Sequence, residues 1–218
     1  MAQRVWSERG QRSQDSRLNK HRMCGITGGI GPSAPQQLLL DAQLKSIEHR
    51  GPDDSGTYLN NGIALGMCRL AIVEIAAGKQ PASDAAEQIH IVWNGEIYNY
   101  RELRARLESE GATLRGSSDT EVLVELLARH GRRCLPWLNG IFAFAAWFAD
   151  ERRLLLARDA AGVKPLYWAR TPAGLAFASE LKALLVVPGL DREPDARAIV
   201  SYLALLYAPG ERTPARGV

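Results

Sequence analysis

Met23-Cys24-Gly25-Ile26, running on into Thr27-Gly28-Gly29-Ile30, is the stretch on which the reading of this chain turns. A cysteine that follows a methionine and opens a short apolar strand can become an N-terminal residue. Once exposed, it carries its own nucleophile, the thiol, and its own base, the α-amine. An α-amino pKa of about 7.7–8.0 suits that amine to accept the thiol proton near neutral pH. Twenty-three residues precede Cys24 in this sequence, so the base becomes available only when they are removed.

Outward from Cys24, apolar and polar residues alternate in short segments with tight connections. Ile26 to Ile30 reads as a buried strand, and Gln36 to Ile47 as a helix with Leu39, Ala42, Leu44 and Ile47 near helical spacing. His49-Arg50-Gly51-Pro52-Asp53-Asp54 is a turn cluster. Thr57–Leu59 and Ile63–Met67 flank Asn60-Asn61-Gly62 as a hairpin. Ile89 to Trp93 reads as a strand stopped by Asn94-Gly95, and Tyr100 to Glu110 as a helix. Ser118-Asp119-Thr120-Glu121 caps an amphipathic helix carrying Val122, Leu123, Leu126 and Leu127. Ile141–Phe148, Leu154–Ala157, Leu166–Ala169 and Leu175–Ala178 read as four strands joined by short links, hence antiparallel. A last helix spans about Asp195 to Leu206. The pattern predicts an α+β sandwich rather than a parallel doubly wound sheet.

Length suits one domain with a small appendage. No apolar run approaches the ~20 residues a membrane helix needs, so a soluble chain without a membrane partner is expected. The net charge is +3, but residues 1–22 alone hold six basic against two acidic side chains. The basic balance therefore belongs to a tail and implies no nucleic-acid partner. Three widely spaced cysteines make no disulfide framework and suit a reducing compartment, the cytoplasm. With no CxxC, no HExxH and scattered histidines, no metal site is expected. The tail lacks the apolar segment of a secretory signal and reads as disordered, as a propeptide, or as sequence upstream of a true start at Met23.

Taken singly, the polar candidates have ordinary structural readings. Cys24 could be a small buried residue, Arg69 half of an ion pair, Asp119 a helix cap and Asn94-Gly95 a strand-end turn. Together they supply every part that hydrolysis of an amino-acid amide needs. Asn94 offers a side-chain N–H and Gly95 an unobstructed backbone N–H to a tetrahedral oxyanion, worth about 3–4 kcal/mol each by analogy. Arg69 can grip a carboxylate bidentately. Glu96 and Asp119 can receive an ammonium.

With these residues in place, the chain from Cys24 to about Val218 resembles the glutaminase half of glutamine-dependent asparagine synthetases. These are class II glutamine amidotransferases of the N-terminal-nucleophile hydrolase fold. The likeness rests on Met23-Cys24-Gly25-Ile26, His49-Arg50-Gly51-Pro52-Asp53, Arg69-Leu70-Ala71-Ile72-Val73 and Gln80-Pro81. It continues through Asn94-Gly95-Glu96-Ile97-Tyr98-Asn99, Ser118-Asp119-Thr120-Glu121 and Leu138-Asn139-Gly140-Ile141-Phe142-Ala143-Phe144. Arg158-Asp159 through Lys164-Pro165-Leu166-Tyr167, then Phe177-Ala178-Ser179-Glu180-Leu181-Lys182, complete it.

The resemblance implies a four-layer αββα sandwich of antiparallel sheets. It implies Cys24 as nucleophile and Asn94 and Gly95 as the oxyanion hole. Arg69 would hold the α-carboxylate of L-glutamine, Glu96 and Asp119 its α-ammonium, and Ile72 and Val73 would line the pocket. Glutamine would become glutamate and ammonia through a γ-glutamyl thioester. It also divides the chain into a tail (1–23), a glutamine amidotransferase type-2 domain (24–190), and a helix with a truncated linker toward a synthetase domain (191–218).

Two departures from the family pattern shape the remaining expectations. No Ser-Gly-Gly-x-Asp-Ser pyrophosphate loop and no P-loop occur, so no cofactor is expected in this chain. The ATP and magnesium of aspartate amidation would belong to a synthetase domain or subunit, and a second copy of the chain is the other partner to test. A retained tail would also acylate Cys24 and remove its base. The competing expectation is accordingly a non-catalytic amidotransferase-like scaffold for a separate synthetase chain. Glu74 and Ala160 stand where the family favours an aspartate and a basic residue. Cys68, next to Arg69 on a strand, is expected to face away from it into the core, and Cys134 is expected to be structural.

Overall fold

The computed structural model describes residues 3–8, 23–31, 36–60, 62–70 and 79–218. Strands β1 (Gln3–Glu8), β2 (Gly25–Ile30), β3 (Asp54–Asn60), β4 (Ile63–Arg69), β9 (Tyr167–Thr171) and β10 (Gly174–Ala178) form one sheet, ordered β1-β3-β4-β2-β10-β9. Strands β5 (Ala82–Ser83), β6 (Ile89–Ile97), β7 (Gly140–Phe148) and β8 (Arg153–Arg158) form a second, in chain order. Every paired strand is antiparallel.

Period-2 alternation sorts each strand into two faces. Ile26, Tyr58, Leu65, Met67, Val92, Ala145, Trp147 and Phe177 turn inward and fill the space between the sheets. The ring of Tyr58 from one sheet stacks on His90 from the other, centroids 3.8 Å apart. Ala64, Cys68, Ala176 and Ala178 turn outward beneath helices α1 (Gln36–Ile47) and α4 (Leu181–Leu184). Ile91, Trp93, Ile97, Phe142 and Phe144 turn outward beneath α2 (Tyr100–Ser109) and α3 (Asp119–His130). The molecule is thus an αββα sandwich, four layers deep, with antiparallel sheets at its centre. A fifth helix, α5 (Ala196–Leu205), is capped by Asp195, whose carboxylate accepts the Arg197 and Ala198 N–H groups. Among the described residues no helix is long and apolar enough to cross a membrane.

Two local readings are corrected. The strand expected to stop at Asn94-Gly95 continues to Ile97, because β7 pairs with it without a break from Ile89↔Phe148 to Ile97↔Gly140. The antiparallel pairing expected among the four late strands holds between β7 and β8 and between β9 and β10, but not between β8 and β9. β8 completes the second sheet, and β9 crosses to the first. Asp159 braces that crossing: it accepts N–H groups from Phe142, Val163 and Lys164. Residues Gln3–Glu8 lie as an edge strand against β3.

Phe177 is fully buried between the sheets, and removing its ring leaves a cavity that neighbours on two sheets cannot close. Phe177→Ala is expected to lower the unfolding free energy by about 3–5 kcal/mol, while Leu38→Ala, on the exposed side of α1, should stay within about 0.5 kcal/mol. Urea unfolding of the two variants checks the contrast.

Candidate functional site

Cys24 stands immediately before β2 and packs, partly buried, against the inter-sheet core. In the β2–β4 ladder Gly25 lies opposite Cys68, so one register step further Cys24 and Arg69 occupy facing ends of adjacent strands. Arg69 follows Ile63, Leu65 and Met67 in the inward phase of β4, and it is buried. Cys68, in the opposite phase, lies in the core under α1 with its thiol 3.6 Å from the Leu44 carbonyl. The turn after α1 secures this end of β4. Asp53 N–H donates to the Arg69 carbonyl at 3.2 Å, and a Cβ on Gly51 would come within 2.5 Å of Arg69 backbone atoms.

Strand β6 faces β2 and β4 across the sandwich. Its inward phase runs His90, Val92, Asn94, Glu96; Asn94 is buried between the sheets, and Glu96, further along, is exposed near the end of the strand. Asn94 is 6% exposed, and its Nδ2 is buried without a hydrogen-bond partner among the described residues. A buried amide N–H left unpaired costs about 1–3 kcal/mol, so this donor is available to an acceptor that reaches it.

Gly95 is arranged by its neighbour. Phe142, its partner on β7, turns both its N–H (3.2 Å) and its C=O (2.7 Å) to Asp159. Gly95 therefore occupies a non-hydrogen-bonded position of the ladder, and its N–H points to the other edge of β6. Two N–H groups on that edge have side-chain acceptors: Trp93 donates to Gln80 Oε1 at 2.6 Å and Ile97 to Asp119 Oδ2 at 3.2 Å. The Gly95 N–H lies between them. A Cβ at this position would stand 2.2 Å from the Ile141 carbonyl, so only glycine lets the two strands approach this closely.

Asp119 is the first residue of α3, and the cap is Ser118, whose Oγ accepts the Glu121 N–H at 3.3 Å. The Asp119 carboxylate is thereby released to reach β6. Burial, and the nearby Glu96 charge, push its pKa above the ordinary carboxylate value against the opposing N–H groups of Ile97 and Thr120. A partly buried carboxylate whose ionisation a neighbouring carboxylate opposes favours a cation beside it.

The structure therefore brings Cys24, Arg69, Asn94, Gly95, Glu96 and Asp119 to one end of the sandwich. Ile72, Val73 and Glu74 lie outside the described residues. Among the described residues no three His, Cys, Asp or Glu side chains gather to hold a metal ion. Cys134 is buried, with its thiol pKa pushed up to about 11 by burial, which suits a core thiol.

Two features escaped the sequence reading. Arg50, placed there in a turn cluster, sends Nε to the carbonyl of Cys24 at 3.1 Å. Asp159 orients β7, and through it Gly95. The run of turn formers around Arg50 was visible, but nothing local tells which backbone its side chain reaches.

Three comparisons bear on this arrangement. A family model described as a glutamine amidotransferase domain matches residues 23–218. Asparagine synthetase [glutamine-hydrolyzing] 1 of Bacillus subtilis is 37% identical over 196 residues, which cover 88% of this chain and 31% of that protein. Asparagine synthetase [glutamine-hydrolyzing] 3 of the same organism is 36% identical over 203 residues, covering 90% and 32%. The chain thus spans about a third of the length of these relatives. Among solved structures, glutamine phosphoribosylpyrophosphate amidotransferase from B. subtilis superposes with a TM-score of 0.60 at 24% identity, over 75% of this chain and 43% of that one. That likeness is one of fold.

Gly95→Ala is expected to force β6 and β7 apart and lower the unfolding free energy by about 1–3 kcal/mol, read from thermal or urea unfolding.

Proposed function

The chain belongs to the glutamine amidotransferase domain family, and on that premise we propose that its site hydrolyses L-glutamine to glutamate and ammonia as the glutaminase half of an asparagine synthetase. The observation that carries the reading is the buried Asn94 Nδ2, which has no hydrogen-bond partner among the described residues, beside a Gly95 N–H turned out of the β6–β7 ladder.

In the proposed reaction the free α-amine of Cys24 takes the thiol proton, and the thiolate attacks the side-chain amide carbon of glutamine. The carbonyl oxygen becomes an oxyanion, which Asn94 Nδ2–H and Gly95 N–H receive. Collapse expels the nitrogen, which takes the proton from the Cys24 ammonium and leaves as ammonia. A γ-glutamyl thioester remains. Water, deprotonated by the same amine, attacks the thioester, releases glutamate and restores the thiol. Arg69 pairs with the substrate carboxylate, and Glu96 with Asp119 holds the ammonium. These contacts hold the amide against the thiol and exclude substrates lacking either charge.

Glutamine hydrolysis by this route uses no cofactor. In the synthetase reaction that would consume the ammonia, ATP and magnesium act elsewhere, in a synthetase domain or subunit that this family half serves. A cytoplasmic setting suits three free cysteines. Removal of the residues before Cys24 is part of the proposal, because an acylated nitrogen is no base.

A chain beginning at Cys24 is expected to release ammonia and glutamate from glutamine. Cys24→Ala abolishes this, and Asn94→Ala lowers kcat about 10²–10³-fold. A folded chain beginning at Cys24 that hydrolyses no glutamine overturns the reading and favours a non-catalytic synthetase partner.

The raised Asp119 pKa sets a second expectation. Protonation removes the charge that holds the ammonium, so KM for glutamine rises as pH falls through this pKa, at a higher pH than an ordinary aspartate would give. Asp119→Asn should raise KM at neutral pH and erase that acid limb, as steady-state kinetics across pH will show.

A further inference from the structure

The chemistry above leaves Glu180 without a role, yet Glu180 is tied to the nucleophile through a single side chain. Arg50 lies across Gly25; a Cβ there would sit 3.0 Å from Arg50 Cδ. Its Nε donates to the Cys24 carbonyl at 3.1 Å, and its Nη1 donates to Glu180 Oε1 at 2.9 Å. Nη2 is buried and has no hydrogen-bond partner among the described residues. The Arg50 side chain is 9% exposed and that of Glu180 23%. On its outer side Glu180 takes Lys182 Nζ at 3.1 Å and His49 Nε2 at 3.0 Å. The residue before it grips the nucleophile's own strand: Ile26 N–H donates to Ser179 Oγ at 3.0 Å, and Ser179 N–H returns to the Ile26 carbonyl at 2.8 Å.

We propose that Glu180 is a positioning residue for the nucleophile, holding Arg50 against the Cys24 carbonyl and so fixing the direction in which the Cys24 backbone presents its thiol. Its catalytic consequence rests on the glutamine-hydrolysing reading of this site; the contact itself does not. The physical cause is the cost of a buried guanidinium. With Glu180 in place, the charge is answered within the protein. Without it, an uncompensated buried cation is strongly unfavourable, and the nearest relief is for Arg50 to swing to water, which breaks the bond to Cys24. His49 and Lys182 are about half exposed. They steady Glu180 from the solvent side, where water screens their loss.

Cys24-Gly25 is the sole Cys-Gly peptide in the sequence. Labelling cysteine with ¹³C at the carbonyl and glycine with ¹⁵N therefore isolates one amide–carbonyl cross-peak, readable in the full 218-residue chain whether or not it is active. Glu180→Ala is expected to move the Cys24 carbonyl resonance upfield, as loss of the Arg50 hydrogen bond requires. Glu180→Gln, which keeps an acceptor for Arg50, restores most of the shift, and Lys182→Met leaves the peak in place. Glu180→Asp, one methylene shorter, gives an intermediate displacement and serves where the alanine variant does not fold. In the form that hydrolyses glutamine, Glu180→Ala lowers kcat roughly 10- to 100-fold, as a misplaced nucleophile does, while KM stays within about threefold. An unmoved cross-peak in Glu180→Ala, or in Glu180→Asp where that variant stands in, overturns the proposal; so does a loss carried by KM instead of kcat. A wild-type chain that hydrolyses no glutamine but shows these shifts would sink the functional reading and leave the Glu180 contact standing.

Discussion

Everything at the candidate site depends on two antiparallel sheets packing face to face. Burial of Ile26, Leu65, Met67, Val92 and Phe177 between them fixes the phase of β2, β4, β6 and β10 at once, because a one-residue slip would expose each apolar set. Cys24, Arg69, Asn94 and Glu96 continue those inward phases beyond the last apolar residue. The hydrophobic contact that stabilises the fold therefore also aims the polar groups toward one end of the sandwich.

The sheet edge adds what side chains alone cannot. An antiparallel ladder alternates between positions that exchange hydrogen bonds and positions that do not. Asp159, by taking the backbone of Phe142, shows that Gly95 is of the second kind. The edge of β6 becomes a row of outward N–H groups, with Trp93 answered by Gln80, Ile97 answered by Asp119, and Gly95 between them. One carboxylate acts at each end of this device: Asp159 orders the strand behind Gly95, and Asp119 ties α3 to the strand beside it. Their environments push them in opposite directions. Burial raises the Asp159 pKa, but the N–H groups of Val163, Lys164 and Phe142 outweigh it and hold the group ionised below the ordinary range. At Asp119 burial prevails, and the pKa is raised.

Cys24 is held by a different kind of contact. Cys24 precedes its strand and gains only part of the ladder's support, so its carbonyl relies on Arg50, and Arg50 on Glu180. These groups come from three distant parts of the chain: the turn after α1, the start of β2 and the segment after β10. A site assembled this way is rigid where the three meet, and sensitive to any one of them.

Much of this was legible in the residues. Alternation of apolar and polar side chains marked nearly every strand, helical spacing marked the helices, and Ser118 was readable as a cap because these signals act over a few residues. The set Cys24, Arg69, Asn94, Gly95, Glu96 and Asp119 was legible as chemistry, since few tasks call for those groups together. What remained hidden was long-range. The end of β6 was misplaced because Asn94-Gly95 has turn-forming local preferences, which continuous pairing with β7 overrides. The sheet change between β8 and β9 has no local signature. Arg50 and Glu180, 130 residues apart, meet only once β2 lies between β4 and β10. The sequence by itself determined which residues face inward and what chemistry they can offer, because periodicity and functional groups are local properties. Only the tertiary structure decided which of them meet and which N–H groups stay open, because strand order and sheet packing are settled by contacts between segments that no local pattern connects.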